Sequence, residues 1–241
     1  MNKYFDFKRF IKLLKMELSE KMSIILKFAA VTCLIIIVLW LLNKLFGNVS
    51  IPISERINYF LLSCIVTLFA APFILYKNHN NPKKGISYAS LPVSVNEKYV
   101  SMIINTIIMP ATVLISLLCI DSIMILIDTC NFSESLFFSE HFFNEMWQED
   151  LLIVLSMQPV FIFGNCFFIK NKEIKTGLSI ASIYVVFFVA YLLLMKYADF
   201  HYTEWVFSNR IIIDKVVKWG FVSFNLCFLV ASYFRIKTQQ Y

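Results

Sequence analysis

Residues 86–127 read ISYASLPVSVNEKYVSMIINTIIMPATVLISLLCIDSIMILI, and the change of character near position 94 decides the fold. The first part, residues 86–102, is a polar, proline-marked connection between two long apolar segments. Ser94 and Glu97 have capping-box spacing: the serine hydroxyl can accept the Glu97 N–H while the Glu97 carboxylate reaches back to the N–H of Ser94. A helix is therefore predicted to start near Val95. Pro92 disfavours a helical conformation at Leu91 and has no N–H to donate, so the turn separates two elements. Such a step has the character of a docking surface on a membrane protein.

The rest of the chain agrees with that setting. Of its 241 residues 59% are hydrophobic and 16% charged, whereas a soluble domain is about a quarter charged and under half apolar. The apolar residues gather into runs near the roughly 20 residues needed to cross about 30 Å of hydrocarbon. An all-α integral membrane protein with six transmembrane helices is predicted, as one transmembrane domain over 1–241. Its spans are about 24–43, 57–76, 100–127, 151–169, 176–195 and 216–234. The first run is followed by Leu41, Leu42, Asn43 and Lys44 rather than by a small-residue cleavage site, so it is expected to remain as a helix.

Lysine and arginine asymmetry orients the spans. The amino-terminal arm, the second and fourth connections and the tail together carry sixteen, against five in the first, third and fifth connections. By the positive-inside rule both termini and the connection 77–99 are cytoplasmic. The net charge of +6 is spread along the flanks of spans, which suits a bilayer and not nucleic acid. In the arm, residues 1–23, Phe7, Phe10, Ile11, Leu14 and Leu18 follow helical spacing while Lys8, Lys12 and Lys15 line another face. This pattern predicts an amphipathic interfacial helix lying along the cytoplasmic surface before turning into the first span. A plain extension of that span is the alternative. On the outer side, 128–150 combines six carboxylates with six large aromatics and no lysine or arginine, which predicts a solvated acidic amphipathic segment.

An ionisable residue within a span is a functional candidate by default, and Asp121 is the clear one. The run from Val100 to Ile127 would extend about 42 Å at 1.5 Å per residue. It therefore begins in the cytoplasm and leaves Asp121 near the outer boundary. Pro72, Pro110 and Pro159 are positions where the helices could kink. The six cysteines are scattered without a CxxC pair, five of them inside apolar runs, and read as small buried hydrophobes with no metal-ligand spacing. No phosphate-binding loop, HExxH pair or GxSxG elbow is present, and His79, His141 and His201 all fall in connections. No catalytic, cofactor-binding or metal site is expected in this chain.

The six-span plan with cytoplasmic termini, an amphipathic arm and this connection resembles the permease subunits of ABC-2 type exporters. In that family the connection between spans two and three approaches through serines, takes a leucine-proline-x-serine step and starts a charged helix. Here Ser87 and Ser90 precede Leu91-Pro92-Val93-Ser94, followed by Asn96-Glu97-Lys98. Lys83, Lys84 and Gly85 stand where the family carries a glutamate-rich stretch. The resemblance implies an ATP-driven exporter in the cytoplasmic membrane of a bacterium. This chain would pair with a second permease copy, as a homodimer or heterodimer, and with ATPase subunits that bind ATP and Mg. It further implies that Leu91, Pro92, Ser94, Glu97 and Lys98 couple the ATPase to the third span. The alternative is a multi-span scaffold or sensor-associated protein that transports nothing and has no ATPase partner. An intramembrane enzyme would show paired polar groups within spans, where only Asp121 is evident, and a secondary carrier would show internal repeats, which the two halves lack.

Overall fold

The computed structural model describes residues 5–46, 53–77, 90–128, 150–197 and 210–239. The acidic segment predicted between Asp128 and Asp150, the approach at Ser87 and the three histidines lie outside these residues. Six helices account for nearly all that is described, and no strand occurs among the described residues: α1 Phe7–Phe46, α2 Ile53–Leu75, α3 Val95–Ile127, α4 Asp150–Phe167, α5 Lys172–Tyr197 and α6 Arg210–Gln239. Five carry stretches long and apolar enough to cross a membrane, and α4, of 18 residues, is the shortest. α2, α3 and α4 each continue through their proline.

The helices group into two compact units. In the first, α3 is the central helix and packs along both α1 and α2, which touch each other little. Polar pairs between α1 and α3 recur at sequence separations of 84 to 91 residues from Asp6 to Trp40, so the two helices run parallel in one register. α2 runs opposite to them, since its early Arg56 meets Asp121 and the Tyr76 that follows it meets Asn105. The apolar centre is built from Ala29, Ile57, Phe60, Val113 and Leu117, flanked by Phe28, Cys33, Ile36 and Leu61.

α1 differs from the predicted arrangement of arm and span. It is one helix without a break, so the turn expected between them is absent. The physical reason lies in which face is buried. Phe10, Leu13, Glu17, Ile25 and Ala29 form the buried stripe, while Phe7 and Ile11 from the predicted apolar face are exposed. The arm is thus packed within the protein, and nothing in residues 18–30, which lack Gly and Pro, breaks the helical hydrogen bonding.

The second unit contains α4 from Leu155, α5 and α6. Gly164 allows close approach of α4 and α5: a Cβ there would come within 2.1 Å of Thr176 Oγ1. Asn171 turns the chain between the two helices with φ 51°, a left-handed conformation that Asn tolerates better than most residues. Lys172 Nζ then donates to the Lys77 carbonyl (2.9 Å) and to Asn165 Oδ1 (3.0 Å). Asn225 donates to Ser156 Oγ at 3.2 Å, and the Phe163 and Phe228 rings meet in a tilted contact with centroids 5.4 Å apart, which ties α6 to α4. From Gly177 to Ala190 nearly every side chain of α5 is exposed and most are apolar. Such a surface belongs in lipid.

Candidate functional site

The functional candidates gather in the first unit as polar layers along α3. The first layer is at the helix starts. Ser94 is the N-cap of α3, its hydroxyl accepting from the Glu97 N–H (3.3 Å) while Glu97 Oε2 accepts from the Ser94 N–H (2.8 Å). Asp6 plays the corresponding part for α1, where its carboxylate accepts from the Lys8 N–H at 2.9 Å. The second oxygen of Glu97 joins the two: Oε1 accepts from the Asp6 N–H at 2.7 Å and from Arg9 Nη2 at 3.0 Å. One carboxylate therefore serves the cap residues of two parallel helices, at the end where both macrodipoles favour negative charge. Glu97 is fully buried in doing so.

The second layer centres on Glu17, which is 2% exposed. Its Oε2 accepts from Tyr76 Oη (2.7 Å), Asn105 Nδ2 (2.7 Å), Ser101 Oγ (3.0 Å) and Lys21 Nζ (3.1 Å). Lys21 also lies 3.3 Å from the centroid of the Tyr76 ring, and the buried Lys98 is within electrostatic range of Glu17. An isolated charge here would be costly, so the cations and hydroxyls packed around this carboxylate are what allow it to stay. Groups from α1, α3 and the end of α2 meet at this one oxygen.

The opposite end has two further layers. Arg56 Nη1 donates to Asp121 Oδ1 at 2.8 Å with both side chains buried. Beyond it, Asp128 accepts from Trp40 Nε1 at 3.3 Å and lies 3.6 Å from Lys44 Nζ. Asn105 and Asp128 are separated by about 34 Å along the helix, close to the thickness of a hydrocarbon core. On the same scale Asp121 lies roughly 10 Å inward of Asp128.

The sequence-predicted residues are thus distributed unequally. Pro92 is exposed, Leu91 and Ser94 are half-buried, and Glu97 and Lys98 are buried. Asp121 is buried and paired rather than open to solvent. Sequence reading missed Glu17, Tyr76, Ser101 and Asn105 as a cluster and Arg56 as the partner of Asp121. A signal existed for Glu17, which continues the spacing Phe10, Leu13, Glu17 on the buried face. Among the described residues no group of three or more His, Cys, Asp or Glu is placed to hold a metal ion. What these layers do chemically is fix helices; just ahead of α3, Pro92 is exposed between the half-buried Leu91 and Val93. Comparison with protein-family models, characterised proteins and solved structures yields no match.

Proposed function

We propose that this chain is the membrane-spanning permease subunit of an ATP-driven exporter of the ABC-2 type, coupling hydrolysis in a separate ATPase subunit to export. The observation that carries the reading is the exposed Pro92 step set directly ahead of a capped helix that is unbroken from Val95 to Ile127. A capped helix continuous with an apolar span is stiff enough to turn a push at its start into a tilt within the bilayer. A flexible loop would absorb the same push. The positive-inside bias supports a cytoplasmic position for that step, and the joining of Glu97 to α1 supports movement of α1 and α3 together. In this reading Leu91 and Pro92 meet the ATPase, while Ser94, Glu97 and Lys98 carry the displacement from behind the contact.

The test is purification of the full-length protein from its source membranes. An ATPase subunit bearing a phosphate-binding loop should accompany it, with hydrolysis stimulated by the complex. Pro92→Arg, at an exposed position, should weaken that association while leaving the thermal unfolding temperature unchanged. A preparation free of any ATPase would sink the exporter reading in favour of a non-transporting scaffold.

A further inference from the structure

We propose that Lys172 and Arg235, at the end of the second unit where α4 stops and α5 starts, form a binding site for the phosphate group of an anionic phospholipid. The site goes beyond the exporter reading and does not rest on it.

The last turn of α4 holds both cations. Asn165 Oδ1 accepts from Lys172 Nζ at 3.0 Å, and Arg235 Cζ lies 5.6 Å from the centroid of the Phe167 ring. Between these two positions the fully buried Cys166 is within electrostatic range of both charges. Lys172 is itself only 7% exposed, and its ammonium uses two of its three donors on neutral oxygens, those of Asn165 and of the Lys77 carbonyl. Arg235 Nε is buried and has no hydrogen-bond partner among the described residues. One ammonium donor and one guanidinium donor therefore remain for an acceptor.

Charge says what that acceptor must be. Burying an ammonium is costly unless it is paired. Among the described residues neither cation has a carboxylate within ion-pair distance. Glu173, the acidic neighbour that acts on Lys172, is exposed, where water screens it. In sequence, residues 77–89 contain three lysines and no carboxylate. The ends of α4 and α6 contribute about half a negative charge each, and the start of α5 about half a positive one. More than one positive charge is left over, and a phosphate offers both the countercharge and several acceptor oxygens suited to guanidinium N–H groups.

The surroundings point to a lipid as the source. Lys172 precedes Gly177, where the exposed apolar face of α5 begins, by about 7.5 Å of helix. The headgroup layer outside the hydrocarbon is about 5–8 Å deep, so Lys172 stands at headgroup level. Exposed apolar side chains flank the cations: Phe167 is 48% exposed, Ile174 64% and Phe234 56%. A soluble phosphate would leave them uncovered, whereas acyl chains joined to the phosphate can lie along them and along α5. Lysine and arginine counting predicts that this end is cytoplasmic, facing the leaflet that carries anionic lipid.

The experiment follows thermal unfolding of the full-length protein in detergent against added dioleoylphosphatidylglycerol, dioleoylphosphatidylcholine or inorganic phosphate. Phosphatidylglycerol should stabilise at concentrations at least about fivefold lower than phosphatidylcholine, with no stabilisation by inorganic phosphate. Arg235→Gln should raise the phosphatidylglycerol concentration required by about fivefold or more. Lys12→Gln, the same charge change at an exposed position of the first unit, should leave it unchanged. Equal responses to the two lipids, or equal losses in the two variants, would mean diffuse surface charge and overturn the site. Stabilisation reproduced in full by inorganic phosphate overturns the lipid assignment. Should Arg235→Gln fail to fold, a photoactivatable phosphatidylglycerol applied to the unmodified protein decides: adducts at the α4–α5 turn or the end of α6 support the site, and adducts only elsewhere overturn it.

Discussion

At the scale of single residues, the buried charges of the first unit differ in what each removal should cost. Arg56 and Asp121 pair with each other, both side chains out of solvent. Arg56→Leu alone takes the cation away from a buried carboxylate and should destabilise the protein by about 3–5 kcal/mol, whereas Arg56→Leu/Asp121→Leu should recover most of that loss. Thermal unfolding of the detergent-purified variants gives the cycle, and a double variant no better than the single one contradicts direct coupling of the two charges. Glu17 is a different case because four donors converge on it from three parts of the chain. Tyr76→Phe removes the hydrogen bond donated to Glu17 and the one accepted from Asn105 Nδ2, and should cost about 1.5–3 kcal/mol. Glu17→Leu should cost more, since it leaves Lys21 facing an apolar side chain; equal losses in the two variants would show that the carboxylate is not the hub. The capping box was legible at residue level because its two bonds are local in sequence. The Glu17 cluster and the Arg56 partner were not, because their partners are 59 to 88 residues away and one-dimensional spacing says nothing about which face of α1 meets α3.

At the scale of elements, α1 is both arm and span, and its function as a unit depends on phase. The buried stripe from Phe10 through Glu17 to Ala29 meets α3 in one parallel register. A single Ala inserted between Met22 and Ser23 rotates everything before it by about 100° relative to the span, carrying Phe10, Leu13 and Glu17 off α3. That variant should lose folded protein in size-exclusion chromatography, and a four-residue insertion, which returns the face to within about 40°, should be tolerated better. Equal tolerance of both insertions would mean that arm and span fold independently. That pattern selected Phe7, Phe10, Ile11, Leu14 and Leu18 as one face. Two of these are exposed, because the packing stripe includes a glutamate that hydrophobicity ranks as polar. In the second unit, Gly164→Ala forces a methyl group into Thr176, with contacts of 2.1 to 2.8 Å, and should cost about 1–3 kcal/mol through displaced α4–α5 packing. Gly177→Ala, where a Cβ meets nothing within 4 Å, is the matched control and should leave the unfolding temperature unchanged or slightly higher.

At the scale of the whole molecule, the all-helical membrane character was plain from composition, and the start of α3 at Val95 from two residues. Five helices long and apolar enough to span follow from runs that any hydropathy count detects. The order of crossings already put the amino-terminal arm, the end of the second span and the start of the third on one side; what pattern could not supply is which residues of the three helices stand level with one another. That information enters through the polar pairs: α1 and α3 are parallel and α2 antiparallel, so Asp6, Tyr76 and Glu97 mark one end of the first unit and Lys44, Arg56 and Asp128 the other. The alternation is what three successive crossings require, and it was obtained from contacts that owe nothing to charge bias. Lysine and arginine counting then predicts that the first of these ends is cytoplasmic. The two arguments meet in one measurement. With Cys130 replaced by Ser, Phe46→Cys and Lys12→Cys put thiols at exposed positions at opposite ends of α1. In intact cells a membrane-impermeant maleimide should label Phe46→Cys, and Lys12→Cys should react only after permeabilisation. Labelling in the reverse pattern would invert the orientation and move the Pro92 step outside, away from any ATP. Labelling of both from the same side would deny that α1 crosses at all.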